Sequence, residues 1–131
     1  MDMRIGTDII RHERIAAELD NIGESAFARY TFSASELAEA QQAAEPVVYL
    51  AGRFCAKEAV IKTLQGELKS VRFNEIETLR GDGGMPVTCL TGDAAKVMEA
   101  RGRSWDFSTS ISHEEGVSIA CVLASFDDLV V

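Results

Sequence analysis

From Val47 to Leu64 the chain carries no proline and a single glycine, Gly52, and the stretch follows directly on Pro46. It reads as one long helix, because proline at a helix start gives up an amide that would have no partner there, and no strong breaker follows. The rest of the chain must pack around it. Gly52 costs about 1 kcal/mol relative to alanine in a helix interior, so either a neighbour packs closely there or the helix proper begins just after it. Within Gly52-Arg53-Phe54-Cys55-Ala56-Lys57-Glu58-Ala59-Val60-Ile61-Lys62, one carboxylate and three cations interrupt an otherwise apolar segment. Arg53 and Lys57 stand four apart, as do Glu58 and Lys62, so each pair shares a helical face while Phe54, Ala59, Val60 and Ile61 can face a core. Taken alone, such charges decorate a solvated face as ion pairs of about 0.3 kcal/mol each. The alternative is a helix built to handle phosphate.

The 131 residues, 47% hydrophobic and 26% charged, fit a single domain spanning 1–131. No apolar run is long enough to span a membrane, and Met1-Asp2-Met3-Arg4 lacks the layout of a signal peptide, so the expected location is the cytoplasm. Cys55, Cys89 and Cys121 are odd in number and embedded among apolar neighbours, which reads as small buried hydrophobes and neither disulfides nor a thiolate metal site. A net charge of −8 argues against nucleic acid as a partner. The cations are nonetheless uneven: Arg4, Arg11 and Arg14 cluster near the start and Arg53, Lys57 and Lys62 on the long helix, leaving room for one anionic ligand or partner.

Residues 3–10 read as a short strand with Gly6 and Asp8 inside it. A strand-embedded aspartate is costly to bury, so Asp8 is exposed, hydrogen-bonded or bound to a cation. Arg11 to Leu19 is helical, followed by a turn around Asn21-Ile22-Gly23 and a second short helix that includes Phe27. Ser33-Ala34-Ser35-Glu36 carries the capping-box pattern of a helix running to about Ala44. Val71 to Arg80 reads as a strand, Gly81-Asp82-Gly83-Gly84 as a turn, and Pro86 to Leu90 as its hairpin partner. Thr91-Gly92-Asp93 caps a helix ending at Gly102. Trp105 to Ile111 and Val117 to Phe126 form the last strand pair, turned by Ser112-His113-Glu114-Glu115-Gly116, and the nearly all-apolar final strand belongs at the centre of its sheet. The class is α+β, helices followed by a mostly antiparallel sheet.

Asp8, Glu58 with its neighbouring cations, and His113 are the polar sites that stand out from apolar surroundings. Singly, a turn histidine is solvated and a strand aspartate bonds nearby amides. Together they suit Mg²⁺-assisted phosphoryl chemistry, since Mg²⁺ takes one or two protein carboxylates and fills its shell with water and substrate phosphates. Three blocks then resemble the holo-acyl-carrier-protein synthase family of 4′-phosphopantetheinyl transferases: Ile5-Gly6-Thr7-Asp8-Ile9-Ile10 with Glu13-Arg14-Ile15; Leu50 to Ala59 with Lys62; and Ser110-Ile111-Ser112-His113-Glu114. Asn74-Glu75-Ile76-Glu77 and Gly84-Met85-Pro86 fall where that family has comparable elements.

The resemblance implies a 4′-phosphopantetheinyl transferase-like fold and transfer of the phosphopantetheine arm of coenzyme A to a serine of acyl carrier protein, releasing 3′,5′-ADP, in fatty-acid biosynthesis. By position, Asp8 and Glu58 would hold Mg²⁺ on the pyrophosphate and Lys62 would contact the transferring phosphate. Arg53, Lys57, Gly84, Pro86, Ser112 and His113 would hold the nucleotide. Arg14, with Arg11 and Arg29, would dock the acidic carrier. A homotrimer with sites between subunits is implied too, relating Asp8 and Glu58 of neighbouring chains to one ligand. Two departures stand out: related sequences commonly have Gly-Lys-Pro where this chain has Gly84-Met85-Pro86, and the loop Gln65 to Ser70 looks short enough to reshape the cleft mouth. Two other readings remain: a catalytically impaired module of the same fold that binds coenzyme A or carrier, and a Mg²⁺-dependent phosphoesterase using water.

Overall fold

In this computed structural model, which describes residues 1–19 and 25–129, Pro46 is the first residue of a helix that runs to Thr63. In chain order the elements are β1 (Asp2–Arg11), α1 (His12–Glu18), α2 (Ala26–Thr31), α3 (Ala34–Gln42), α4 (Pro46–Thr63), β2 (Ile76–Arg80), β3 (Pro86–Leu90), α5 (Gly92–Ala100), β4 (Arg103–Glu114) and β5 (Val117–Asp128). The expected turn around Asn21-Ile22-Gly23 lies outside the described residues. Ser33 caps α3 as its sequence implies: its side chain accepts from the Glu36 amide while the Glu36 carboxylate accepts from the Ser33 amide. No helix among the described residues is long and apolar enough to cross a membrane.

β1, β5 and β4 form an antiparallel sheet in that order, so the apolar last strand is central. Its apolarity serves two faces. Ala120, Val122, Ala124 and Phe126 are buried, while Ile119 and Leu123 point to the other side and are exposed. β2 and β3 form a separate hairpin, within which the Thr78 and Thr88 hydroxyls are hydrogen-bonded at 2.8 Å, and a second 2.8 Å hydroxyl bond between Thr88 and Thr109 ties the hairpin to β4.

Two glycines set how closely α4 lies on the sheet. A Cβ on Gly6 would stand 1.9 Å from the Ala59 carbonyl oxygen, so β1 rests directly on the helix backbone. A Cβ on Gly52 would stand 2.9 Å from Ile111 Cγ2, which settles its place inside the helix: a side chain from β4 packs there.

Three expectations need correction. The segment 71–75 is not strand: Phe73–Glu75 is a single 3₁₀ turn, held because the Glu75 carboxylate accepts from the amides of Arg72 at 2.9 Å and Ala94 at 2.8 Å. That same carboxylate satisfies the start of α5, while the Thr91 hydroxyl donates to the Glu75 carbonyl and caps nothing. Of the cysteines only Cys55 is buried; Cys89 and Cys121 are exposed, because alternation along β3 and β5 turns them away from the core.

Candidate active site

α4 presents two charge clusters on different sides, since Arg53 and Lys57 lie about 100 to 140° around the helix from Glu58. Strand alternation sends Gly6, Asp8 and Ile10 towards α4, and the close approach at Gly6 brings Asp8 to the end of the helix that carries Glu58 and Lys62. Lys62 Nζ lies 3.7 Å from Asp8 Oδ1 and donates to the Thr7 carbonyl at 2.6 Å. No Glu58–Lys62 ion pair forms among the described residues; Lys62 turns to β1 instead. The Glu58 carboxyl is held above the usual carboxylate range, first by burial and then by the charge of Asp8, with Lys62 and Arg14 pulling the other way. Burial, and then Asp8, pushes the adjacent Cys55 thiol up to about 12, so it stays an inert neutral group.

Asp8 and Glu58 therefore act on each other within one chain. Two carboxylates that raise one another's energy gain from a shared cation. Among the described residues no group of three or more His, Cys, Asp or Glu could hold a metal ion, as a closed protein cage would need. Mg²⁺ fits the pair all the same, because it is held by one or two carboxylates and leaves its other positions to water and phosphate oxygens.

The second cluster surrounds a cavity of about 320 Å³ that gathers Arg53, Gly84, Pro86 and His113, with Tyr49, Arg80 and Glu45. Arg53 is 8% exposed; its Nε donates to the Thr78 carbonyl at 3.1 Å and its guanidinium lies 4.0 Å over the Tyr49 ring. His113 is exposed near the end of β4, its ring 6.4 Å from that of His12, whose Nε2 is 2.7 Å from Ser118 Oγ.

Two expected nucleotide contacts do not reach this cavity. Lys57 is fully buried, and its ammonium donates to Glu36 at 2.6 Å, to the Phe73 carbonyl at 2.9 Å and to the Ile76 carbonyl, which uses all three donors. Its part is to tie α4 to α3 and to the start of β2. Ser112 pairs with Ile119 and shares its outward face, opposite to His113. Arg11 and Arg14 line a surface groove of about 910 Å³ with Ile9, Ile10 and Val117; Arg29, on α2, is exposed and not part of it. Residues 66–70 line a different cavity, of about 800 Å³, that contains no expected site residue.

Sequence reasoning missed Tyr49, Arg80, Glu39 and the burial of Glu36. Tyr49 stands four residues before Arg53, and that spacing was a usable signal. Arg80 ends a strand just before a glycine-rich turn, where no local pattern marks it.

The fold and paired carboxylates define a class of protein that known relatives identify. The family model described as the 4′-phosphopantetheinyl transferase superfamily matches residues 4–122. The chain belongs to that superfamily. A holo-[acyl-carrier-protein] synthase of Chlorobaculum tepidum is 37% identical over 122 residues, which cover 92% of this chain and 97% of that one. Among solved structures, holo-[acyl-carrier-protein] synthase from Neisseria meningitidis matches with a TM-score of 0.79 at 37% identity, covering 92% of this chain and 96% of that one. The ACPS–CoA complex of Chronobacterium ammoniagenes matches with a TM-score of 0.81 at 32% identity, covering 97% and 99%.

Proposed function

We propose that the chain transfers the 4′-phosphopantetheine arm of coenzyme A to a serine of apo acyl carrier protein and releases 3′,5′-ADP, with Mg²⁺ as its metal. The observation that carries this reading is the meeting of Asp8 with Glu58 and Lys62, from segments some fifty residues apart, around an imbalance of negative charge. Asp8 and Glu58 would hold Mg²⁺, which when bound neutralises charge on pyrophosphate oxygens. Lys62, half exposed and reaching across to β1, points a cation at the phosphoryl group that leaves with the pantetheine arm. Arg53, Gly84, Pro86 and His113 hold the nucleotide portion, with the Arg53 Nε committed to the Thr78 carbonyl. Arg14 and Arg11, beside Ile9, Ile10 and Val117, offer the mixed basic and apolar groove that an acidic carrier helix would meet.

Residues 1–131 act as one domain, and the working unit we propose is a homotrimer. Met3, Ile5, Ile9, Ile119 and Leu123 leave the outward face of β1 and β5 largely apolar and exposed, which supports burial against another copy. The two clusters on different sides of α4 also suit a site completed between subunits. Light scattering is expected to give the mass of three chains; a monomer at working concentration would remove this part.

Incubation of apo carrier protein with coenzyme A and the wild-type chain is expected to add the mass of one phosphopantetheine arm, read by mass spectrometry, and Glu58→Gln to abolish the gain. If the wild type modifies no carrier and Glu58→Gln behaves identically, the transferase reading is lost. Tight coenzyme A binding without transfer would point to a binding module, and 3′,5′-ADP release without carrier to a phosphoesterase.

A further inference from the structure

The chain has 2 histidines, His12 near its start and His113 near its end, and the fold brings their rings to 6.4 Å between centroids. That separation is within the range of aromatic contact. The two rings are held very differently. His12 is fixed at both ends: its amide, one residue beyond β1, donates to the Gly116 carbonyl at 2.9 Å, and its Nε2 lies 2.7 Å from Ser118 Oγ. Ser118 is 1% exposed, and among the described residues its hydroxyl has no other partner. His113 is exposed and makes no hydrogen bond or ion pair among the described residues. In strand register it stands directly opposite Ser118, so the two side chains share the face of the sheet that carries α4. One buried hydroxyl thus has the fixed ring bonded to it and the free ring beside it.

A side chain free to turn must be ordered when a ligand binds, which weakens binding, and a wall beside it lowers that cost. His12 lines a cavity of about 590 Å³ that shares Glu45, Val48 and His113 with the 320 Å³ nucleotide cavity, which His12 itself does not line. His113 therefore stands at the border of the two spaces, with the His12 ring on the side away from the nucleotide. Without His12 the His113 ring is free to turn into the 590 Å³ cavity, where Glu114 and Glu115 offer it carboxylates in place of the ligand. We infer that His12, anchored on Ser118, is a positioning residue that keeps the His113 ring turned towards the nucleotide cavity; the inference rests on the transferase reading above. Neither His12 nor its anchor needs to touch the nucleotide for this.

Calorimetry with 3′,5′-ADP tests this as a mutant cycle. His113→Ala is expected to weaken binding by about tenfold, and His12→Ala and Ser118→Ala by about three- to tenfold each, although both leave His113 in place. In the His113→Ala background neither change has a further effect, because both act through that ring. Losses that add, as they would if His12 or Ser118 met the ligand or merely steadied the fold, overturn the inference, and so does unchanged affinity in the single variants. Nuclear magnetic resonance gives a reading that needs no ligand and no reaction. With 2 histidines in the chain, replacing one assigns the ring signals of the other, and an Overhauser effect between the rings is expected in the wild type and lost in Ser118→Ala. Rings that show none in the wild type, or that keep it in Ser118→Ala, overturn the inference. A wild type that binds neither 3′,5′-ADP nor coenzyme A would sink the transferase reading instead, and the ring contact would still decide whether His12 positions His113.

Discussion

Lys57 and Lys62 sit five residues apart on α4, and the two sides of the helix that they occupy treat a lysine in opposite ways. On the side facing the β2 hairpin, Lys57 is sealed from solvent and bonded to a buried carboxylate and two carbonyls. On the side facing β1, Lys62 keeps half its side chain in water and meets Asp8 at 3.7 Å. A charge with every donor engaged inside the protein fixes geometry, and a charge left partly free can meet a ligand. Burial lowers the pKa of Lys57 and the Glu36 carboxylate opposes that fall, the balance expected of a structural ion pair. Glu58 shows the other pattern, a carboxyl raised by burial and by a like charge. Functional sites tend to keep such unrelieved strain.

The largest effect should come from removing that strain. Asp8→Ala and Glu58→Ala are each expected to cut the transfer rate on the order of a thousandfold or more, since each removes a ligand for charge developing at the phosphate. Thermal midpoints should hold or rise, because each change relieves the repulsion between the two carboxyls. Measured together, rate and midpoint test the comparison directly: a variant that retains its rate to within about tenfold would show that this side of the helix is not where the chemistry lies.

On the other side the order of effects should invert. Lys57→Met strands the Glu36 carboxylate in the core, and Glu36→Gln strands the ammonium, at about 3–5 kcal/mol of stability each by chemical denaturation. Lys62→Ala should stay within about 1 kcal/mol of wild type, as exposed pairs do, yet lose activity. The double change Glu36→Leu with Lys57→Met is expected to recover most of the stability, because no unpaired charge remains. Had Lys57 touched the nucleotide, its variant would keep its stability and lose coenzyme A affinity, and that result would break the distinction between the two sides.

Motif and periodicity made the Asp8 side legible. Asp8 was marked by being an aspartate among apolar strand residues, while the spacing of Glu58 and Lys62 paired them only with each other, and it was the family resemblance that set them beside Asp8. The hairpin side was not legible in the same way. Arg53 and Lys57 read as surface charges because spacing reports which residues share a face and not what covers it. Lys57 is covered by Glu36, which the capping pattern had already claimed for the start of α3 and which also accepts from the Ser33 and Thr78 amides, and Arg53 by Tyr49 and the Thr78 carbonyl. A helix cap visible in sequence thus hid a tertiary role that only long-range contact reveals. The apolar last strand misled less: it is central, and its outward half is exposed in the single chain.

A third carboxylate sharpens the contrast at the smallest scale. Glu67, in the turn after α4, is buried like Glu36 but is met by arginines: Arg103 Nη2 at 2.8 Å and Nε at 3.2 Å, and Arg4 Nη2 at 3.1 Å. Hydrogen bonds from Arg103 hold its carboxyl below the usual range, with burial opposing and the charges of Arg103 and Arg4 assisting. A carboxyl depressed in the folded state binds its proton more readily in the unfolded one, so its stabilisation is complete above the ordinary carboxylate pKa. The contribution fades as pH falls through the folded value. Urea denaturation of wild type and Glu67→Gln is therefore expected to show a gap that is constant above about pH 5, smaller than the Glu36→Gln loss, and that narrows on acidification. A gap that persists unchanged down to the acid limit would mean that Glu67 acts through packing of the turn, and that its arginines are no more than neighbours.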